Sequence, residues 1–507
     1  MHRILSASKD TYITNKIING TFRATDANVG QAGTLDLFKL YDENDLTGSS
    51  EQIELTKLLL HFDLSKVSDM QSQGKIDIND STFKCFLKLH DVYGGQATPE
   101  NFDVILFPLS KSFDEGSGFD ITGFRDLDAV NFVTASFLAG EPVTWNLPGA
   151  AKSGSLNDES IDIIVSGTLE GPGGSSKVSL TPVQKFVTGE EDLVLDITKI
   201  VSGTITNQIP DHGFLIGLSG TLEENRKSYF VKRFASRNSS NTAIRPKLIV
   251  KYDDSLHDSH EDFTFDLTSS LYLNNFQQGV AKNIVSGLGG PELTGENVMV
   301  VKIESGSFKK TFNVSQAHRG VNRLTGVYSA SFAISSFETA LRDHIIASGS
   351  VTFNETWSSS DETIAFLSSS IVIKNNQRTA FDNFHQNLLV TVTNLNDAYN
   401  VGDIIKIRVF SEDRDRDVVF KKLPREKKSQ IHKQMHYRVR DFQTGDIIID
   451  FDTATNSTRL STDSNGMYFE FFVDSLPRGR TYVFDFLVKK AGFDTIVTDA
   501  ASKFRVN

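Results

Sequence analysis

Several residue groupings in this 507-residue chain have spacings that could carry chemistry. His432-Lys433-Gln434-Met435-His436 places two histidines four apart, as on the helix of a zinc protease. Lys433 stands where the general-base glutamate is needed, and its charge opposes a metal. Asp413-Arg414-Asp415-Arg416-Asp417 opens like a calcium loop, but Val418 replaces the turn glycine and Pro424 occupies the place of the bidentate glutamate. Adjacent acids, Asp114 with Glu115 and Glu190 with Glu191 and Asp192, leave glycoside hydrolysis formally open. No Gly-x-Ser-x-Gly elbow stands between a strand and a helix, and Gly116-Ser117-Gly118 and Gly349-Ser350 lie in turn-like contexts. Gly287-Leu288-Gly289-Gly290-Pro291 and Gly171-Pro172-Gly173-Gly174 lack the Lys-Ser/Thr of a phosphate loop and read as connections between strands. No catalytic, cofactor-binding or metal-binding residue is assigned from these groupings, and no cofactor is expected.

One feature points to contact rather than catalysis. Between Lys421 and Arg440 the residues Lys421, Lys422, Arg425, Lys427, Lys428, Lys433, Arg438 and Arg440 face a single acid, Glu426. Such a surface suits docking against an acidic neighbour, for which the acidic first module of another copy is a candidate. Cys85 is the only cysteine, so no intramolecular disulfide or cysteine-based zinc site can form. Alternation in Thr82–Leu89 puts it on one face with Phe83, Leu87 and Leu89, which marks a buried thiol. Trp145, within a strand pattern, is expected to be buried, although it or Trp357 could stack a sugar from a loop.

The elements around these residues are strands. Apolar residues recur with period two in short runs that end in Gly, Asn, Asp or Ser, as in 57–64, 104–109, 160–165 and 247–252. Helical spacing is confined to Phe337 to Ile346, where Phe337, Leu341 and Ile345 are four apart, and to Pro424 to His436, where Ile431 and Met435 are. Asp63 and Asp196 follow strands, where a carboxylate closes an Asx-turn.

Composition bounds the class. Apolar residues make up 39% of the chain and charged residues 23%, enough for packed cores, and no apolar run approaches the roughly 20 residues of a membrane helix. Length predicts about three domains. The acidic run Asp253 to Asp262 reads as a linker, and a second boundary falls near Asn375-Asn376-Gln377-Arg378. The net charge of -12 is then unequal: residues 1–253 hold 24 cationic and 33 acidic side chains, 254–374 hold 8 and 13, and 375–507 hold 20 and 18. Nucleic-acid binding and membrane insertion are not expected. Leu324–Ile334 and Thr462–Val473 share a Gly, apolar, Tyr, strand pattern, which raises the question of duplication.

Residues 1–253 resemble the DNRLRE-type jelly-roll domain. The resemblance runs in order through Asp10-Thr11-Tyr12-Ile13, Ala27-Asn28-Val29-Gly30, Leu35-Asp36-Leu37, Leu58 to Leu64, Thr82 to Leu89, Pro142 to Asn146, Leu195 to Thr198, Lys232 to Arg237 and Arg245 to Tyr252. The stretches Phe113 to Asp120, Val130 to Ser136 and Thr144 to Ala150 are similar to structural proteins of large tailed phages. Tyr437 to Gly445, Phe451-Asp452, Asn456 to Ser461 and Asp463 to Tyr468 are similar to C-terminal segments of virion proteins from myoviruses of marine bacteria.

Strand periodicity and the polar boundaries predict an all-β chain, with two smaller immunoglobulin-like β-sandwich domains over 254–374 and 375–507, and the resemblance implies an N-terminal jelly-roll β-sandwich over 1–253. It implies a non-enzymatic structural component of a virion, assembled in the host cytoplasm. Tail, baseplate or fibre-adaptor placement is the first expectation; head decoration or neck attachment, and a carbohydrate-binding adhesin, are the alternatives. Its partners would be other virion proteins and copies of itself, with a host surface glycan as a further candidate. The N-terminus carries no apolar signal segment, which fits that route.

Overall fold

A computed structural model describes residues 1–20, 22–41, 53–92, 100–123, 126–171, 173–320, 322–375, 387–414, 428–490 and 493–507. The chain is all-β, built from sandwich-like sheets with a few short helices. It divides into two compact units, one of Arg3–Ser68 with Phe83–Lys251, the other of Met1–His2, Asp69–Thr82 and Tyr252–Asn507. None of the described helices is long and apolar enough to cross a membrane.

In the first unit a ten-stranded sheet runs Val183–Phe186, Phe102–Pro108, Phe214–Leu218, Ile53–Phe62, His2–Thr14, Lys247–Lys251, Lys84–Leu89 and Leu193–Asp196, with Thr34–Tyr41 and Tyr229–Ala235 branching from Ile53–Phe62. Period-two alternation is realised directly. Phe83, Cys85, Leu87 and Leu89 are all buried, while Lys84, Phe86 and Lys88 point outward and are half-buried. Leu58, Leu59 and Leu60 are buried in succession, because their strand lies inside the sheet with both faces covered. Packing around Ile13, Phe113, Phe132, Ile163 and Trp145 forms a core, and the Trp145 indole N–H donates to the Asn131 carbonyl at 3.1 Å. Asp63 and Asp196 close the turns expected of them, accepting from the N–H of Ser65 and of Thr198 at 2.9 Å each.

The second unit holds a six-stranded antiparallel sheet, Ser269–Asn274, Asn322–Phe332, Phe308–Arg319, Met299–Ser305, Ser350–Ser359 and Ala365–Lys374, over a core that includes Trp357 and Tyr328. It also holds a four-stranded and a five-stranded sheet that enclose an aromatic core. There Tyr437 stacks on Phe469 at 4.2 Å and Phe484 on Phe504 at 5.0 Å, with edge contacts from Phe471. The 38 phenylalanines of the chain are in part accounted for by this packing.

Several expectations change. The run 253–262 does not behave as a linker: Asp258 and Ser259 are buried, and Leu256 accepts from the N–H of Thr462 at 2.9 Å. Its acids are tolerated because each has a partner: Asp253 the Ser255 N–H and hydroxyl, Asp254 the Met1 ammonium, Asp258 His260, Glu261 Lys428, and Asp262 His257. Of the two expected helices, the first shrinks to Arg342–Ser348, with Leu341 and Ile345 buried and Phe337 82% exposed. In the second, residues 424–427 lie outside the described residues, 428–434 are not helical, and Met435–Asp441 is a strand. Burial of Met435, Tyr437, Val439 and Asp441 shows the true period there to be two. Trp357, like Trp145, is buried and so unavailable as a sugar platform. The paired Gly-Tyr segments also differ in setting: Gly326 lies inside Asn322–Phe332, whereas Gly466 opens Gly466–Phe472 after a two-residue turn. Of the second boundary region, 376–378 lie outside the described residues.

Candidate functional site

Asp10, Asn28, Glu115 and Arg237 come from four separate stretches of sequence and meet in the first unit. Asp10 sits in strand His2–Thr14, where the pleat turns its carboxylate into the protein, 1% exposed. One of its oxygens, Oδ2, accepts from the Arg237 backbone N–H at 2.5 Å; the other, Oδ1, is buried without a hydrogen bond. The Asp10 N–H donates to Glu115 Oε1 at 2.8 Å, and the Arg237 guanidinium grips Glu115 through two bonds of 2.6 Å. Asn28 fills all four of its amide valences. Its NH2 donates to the carbonyls of Glu115 and Val130 at 2.8 Å each, and its Oδ1 accepts from Gly30 N at 3.1 Å and Gly118 N at 2.9 Å.

Backbone approaches this close require glycine. A Cβ on Gly30 would lie 2.1 Å from the Glu115 carbonyl oxygen, and one on Gly118 would lie 1.9 Å from that of Asn28. The electrostatics follow from burial. Desolvation raises the Asp10 pKa to about 7, aided by the negative charge of Glu115 and opposed by the Arg237 N–H and the charges of Arg237 and Arg245. A carboxyl poised near neutrality is a common mark of acid-base chemistry. Here it is sealed from solvent, so substrate cannot reach it, and the cluster ties the loops around 28–30, 115–118 and 237 to the sheet.

Three of the other acids named from sequence, Asp114, Glu191 and Asp192, hold backbone N–H groups. Asp114 accepts from the Phe137 N–H at 2.9 Å. Glu191 accepts from the N–H groups of Val187, Thr188 and Gly189; burial opposes its ionisation, but these bonds outweigh it and bring its pKa to about 2. Asp192 accepts from the Asp91 N–H and lies 3.0 Å from His90. Gly287–Pro291 forms a loop closed by pairing of Val285 with Glu292. His432 meets the Ser411 hydroxyl at 2.9 Å, and His436 lies in a strand, so the helical spacing that would aim both rings at one metal does not exist. Burial first, and neighbouring cations second, lower both to a pKa of about 4. The calcium-like run is described only through Arg414.

Of the expected docking surface, Lys421, Lys422, Arg425 and Lys427 lie outside the described residues. Lys428 is exposed and pairs with Glu261 at 2.9 Å, and Lys433 is exposed. Arg438 and Arg440 instead converge on Asp485, a fully buried acid on the neighbouring strand, at 2.7 and 3.1 Å. Sequence reading missed this triad and the Asp10 cluster alike. The available signal was an acid inside an apolar strand, Asp485 within Tyr482–Val488 and Asp10 beside Thr11-Tyr12-Ile13.

Fold and cluster together define a β-sandwich protein whose buried polar side chains cross-link loops. No family model matches the chain, and no curated protein matches it. Among solved structures it is similar to the N-terminal Ig1-2 module of the Drosophila receptor protein tyrosine phosphatase DLAR, at 8% identity and a TM-score of 0.13 over 47% of this chain and 90% of that one. It is also similar to the chicken CNTN1 FN1-FN3 domains, at 11% identity and a TM-score of 0.12 over 47% and 65%, and to an alpha-2-macroglobulin from Escherichia coli, at 10% and 0.15 over 98% and 36%. Likenesses this weak say nothing about activity.

Proposed function

We propose that the chain is a non-enzymatic structural component of a tailed-phage virion, associated with the tail or baseplate and acting through contacts with other virion proteins and with copies of itself. The observation that carries this proposal is the convergence of Asp10, Asn28, Glu115 and Arg237. Three of them belong to stretches similar to the DNRLRE-type domain, and Glu115 to a stretch similar to phage structural proteins. In this reading the residues behind the resemblance are those that rigidify the module. Rigid loops on a sandwich suit a mechanical part, which must present the same surface to each neighbour.

Immunogold labelling of purified tailed particles with an antibody raised against the full chain tests the proposal. Label at one fixed position on the tail or baseplate is expected. Particles left unlabelled, with the protein confined to the lysate, would overturn it.

A further inference from the structure

We infer that Lys39 and Asn225 become joined by an isopeptide bond within the first unit, formed when the lysine amine displaces ammonia from the asparagine side chain. The inference does not rest on the virion proposal.

Lys39 lies on strand Thr34–Tyr41, directly opposite Tyr229 of Tyr229–Ala235, and its side chain is fully buried. A buried lysine ordinarily ends on a carboxylate. Lys39 ends instead on Asn225, the residue that closes the helix Gly220–Glu224: Nζ donates to the Asn225 backbone carbonyl and, at 2.8 Å, to its side-chain Oδ1. The acid whose charge acts on Lys39, Glu223, is paired with Lys57 at 3.4 Å, and no carboxylate pairs with Lys39 among the described residues. The two partners stand 186 positions apart in sequence, so a bond between them would restrict the unfolded chain as a long-range disulfide does, in a chain that has a single cysteine.

The parts around this pair suit attack of an amine on an amide. Contact with Oδ1 leaves Nζ no more than one C=O bond, about 1.2 Å, further from the Cγ it attacks. The same Oδ1 accepts from the Lys227 backbone N–H at 3.0 Å, a donor placed to hold the negative charge that develops there. Asn225 Nδ2, the leaving nitrogen, donates to the Tyr229 hydroxyl at 3.0 Å, which fixes the orientation of the amide. The amine must be neutral to react. Burial lowers the Lys39 pKa against the opposing charge of Glu223, and burial raises that of Glu223 against the charge and hydrogen bond of Lys57. Both shifts favour passing the ammonium proton to Glu223. Nζ then bonds to Cγ, the Cγ–Nδ2 bond breaks with its electron pair, and Glu223 delivers the proton that lets Nδ2 leave as ammonia. The second proton given up by Nζ goes back to Glu223, which ends protonated beside a neutral amide.

The test is intact-mass spectrometry of the purified full chain, denatured after incubation at mildly alkaline pH, together with tryptic mapping. The expected result is a mass below that of the sequence by one ammonia, and a branched peptide that joins the segments holding Lys39 and Asn225. Lys39→Met, Asn225→Ala and Glu223→Gln should each keep the full mass of their own sequence. The branched peptide of the parent decides alone if a variant fails to fold. The inference is overturned if the parent keeps its full sequence mass, if the branched peptide is absent, if the ammonia loss persists in Lys39→Met, as a succinimide at Asn225 would, or if Glu223→Gln cross-links as fully as the parent.

Discussion

At the scale of single residues, two buried ionisable groups give the chain its expected pH behaviour. Asp10 has a folded pKa of about 7, above its ordinary 3.8, so the native state holds its proton more tightly than the unfolded chain does. Its contribution is fully present below pH 4 and is lost as pH rises through 7. Asp10→Asn keeps the acceptor for the Arg237 N–H and removes the buried charge. It should stabilise the first unit at pH 8 by roughly 2–4 kcal/mol and flatten the change between pH 4 and 7, read from thermal melts across pH. His260 is the counterpart in the second unit, held between Asp258 at 2.5 Å and fully buried Glu355 at 3.2 Å. Burial lowers its pKa, but the two carboxylates more than compensate and bring it to about 10. That stabilisation is complete below about pH 6.5 and fades as pH climbs to 10. Replacing His260 with Gln removes the positive charge between two buried acids and should cost about 3–5 kcal/mol at pH 7 by denaturant titration. Cys85, by contrast, was legible from alternation alone: four apolar side chains on one strand face announce burial without knowledge of any partner. The partners of Asp10 and His260 were not legible, since Glu115 and Glu355 lie some 100 residues away and only the folded chain brings them near.

Among elements, strands were read more truly than helices. A period of two persists over four or five residues, whereas the helical spacing at 424–436 rested on a single pair, Ile431 and Met435, that a strand and its preceding loop reproduce by chance. The acidic run 253–262 misled for a different reason. Polarity predicts exposure only when charges lack partners, and here His257, His260 and Lys428 supply them. Glycine carries the firmest prediction at this scale. Gly118→Ala drives a methyl into the Asn28 carbonyl oxygen, breaks the turn that Asn28 Oδ1 caps, and should destabilise the first unit by roughly 3 kcal/mol or more, measured by urea unfolding. Gly33→Ala, with no atom within 4 Å of the added methyl, is the matched control and should lie close to the parent.

For the whole molecule, length predicted about three domains and the chain resolves into two compact units, the second of which takes in residues on both sides of 375. The charge imbalance, -9 over residues 1–253 and +2 over 375–507, is long-range information that survives in the fold only in part, because Arg438 and Arg440 are consumed by Asp485. The proposed mechanical role in a particle is tested most directly by stoichiometry. Quantitative mass spectrometry of purified, intact particles should find the full chain at a fixed copy number that matches the symmetry of a tail or baseplate ring and is unchanged by high-salt washing. A substoichiometric, preparation-dependent amount that washes away would rule out that role.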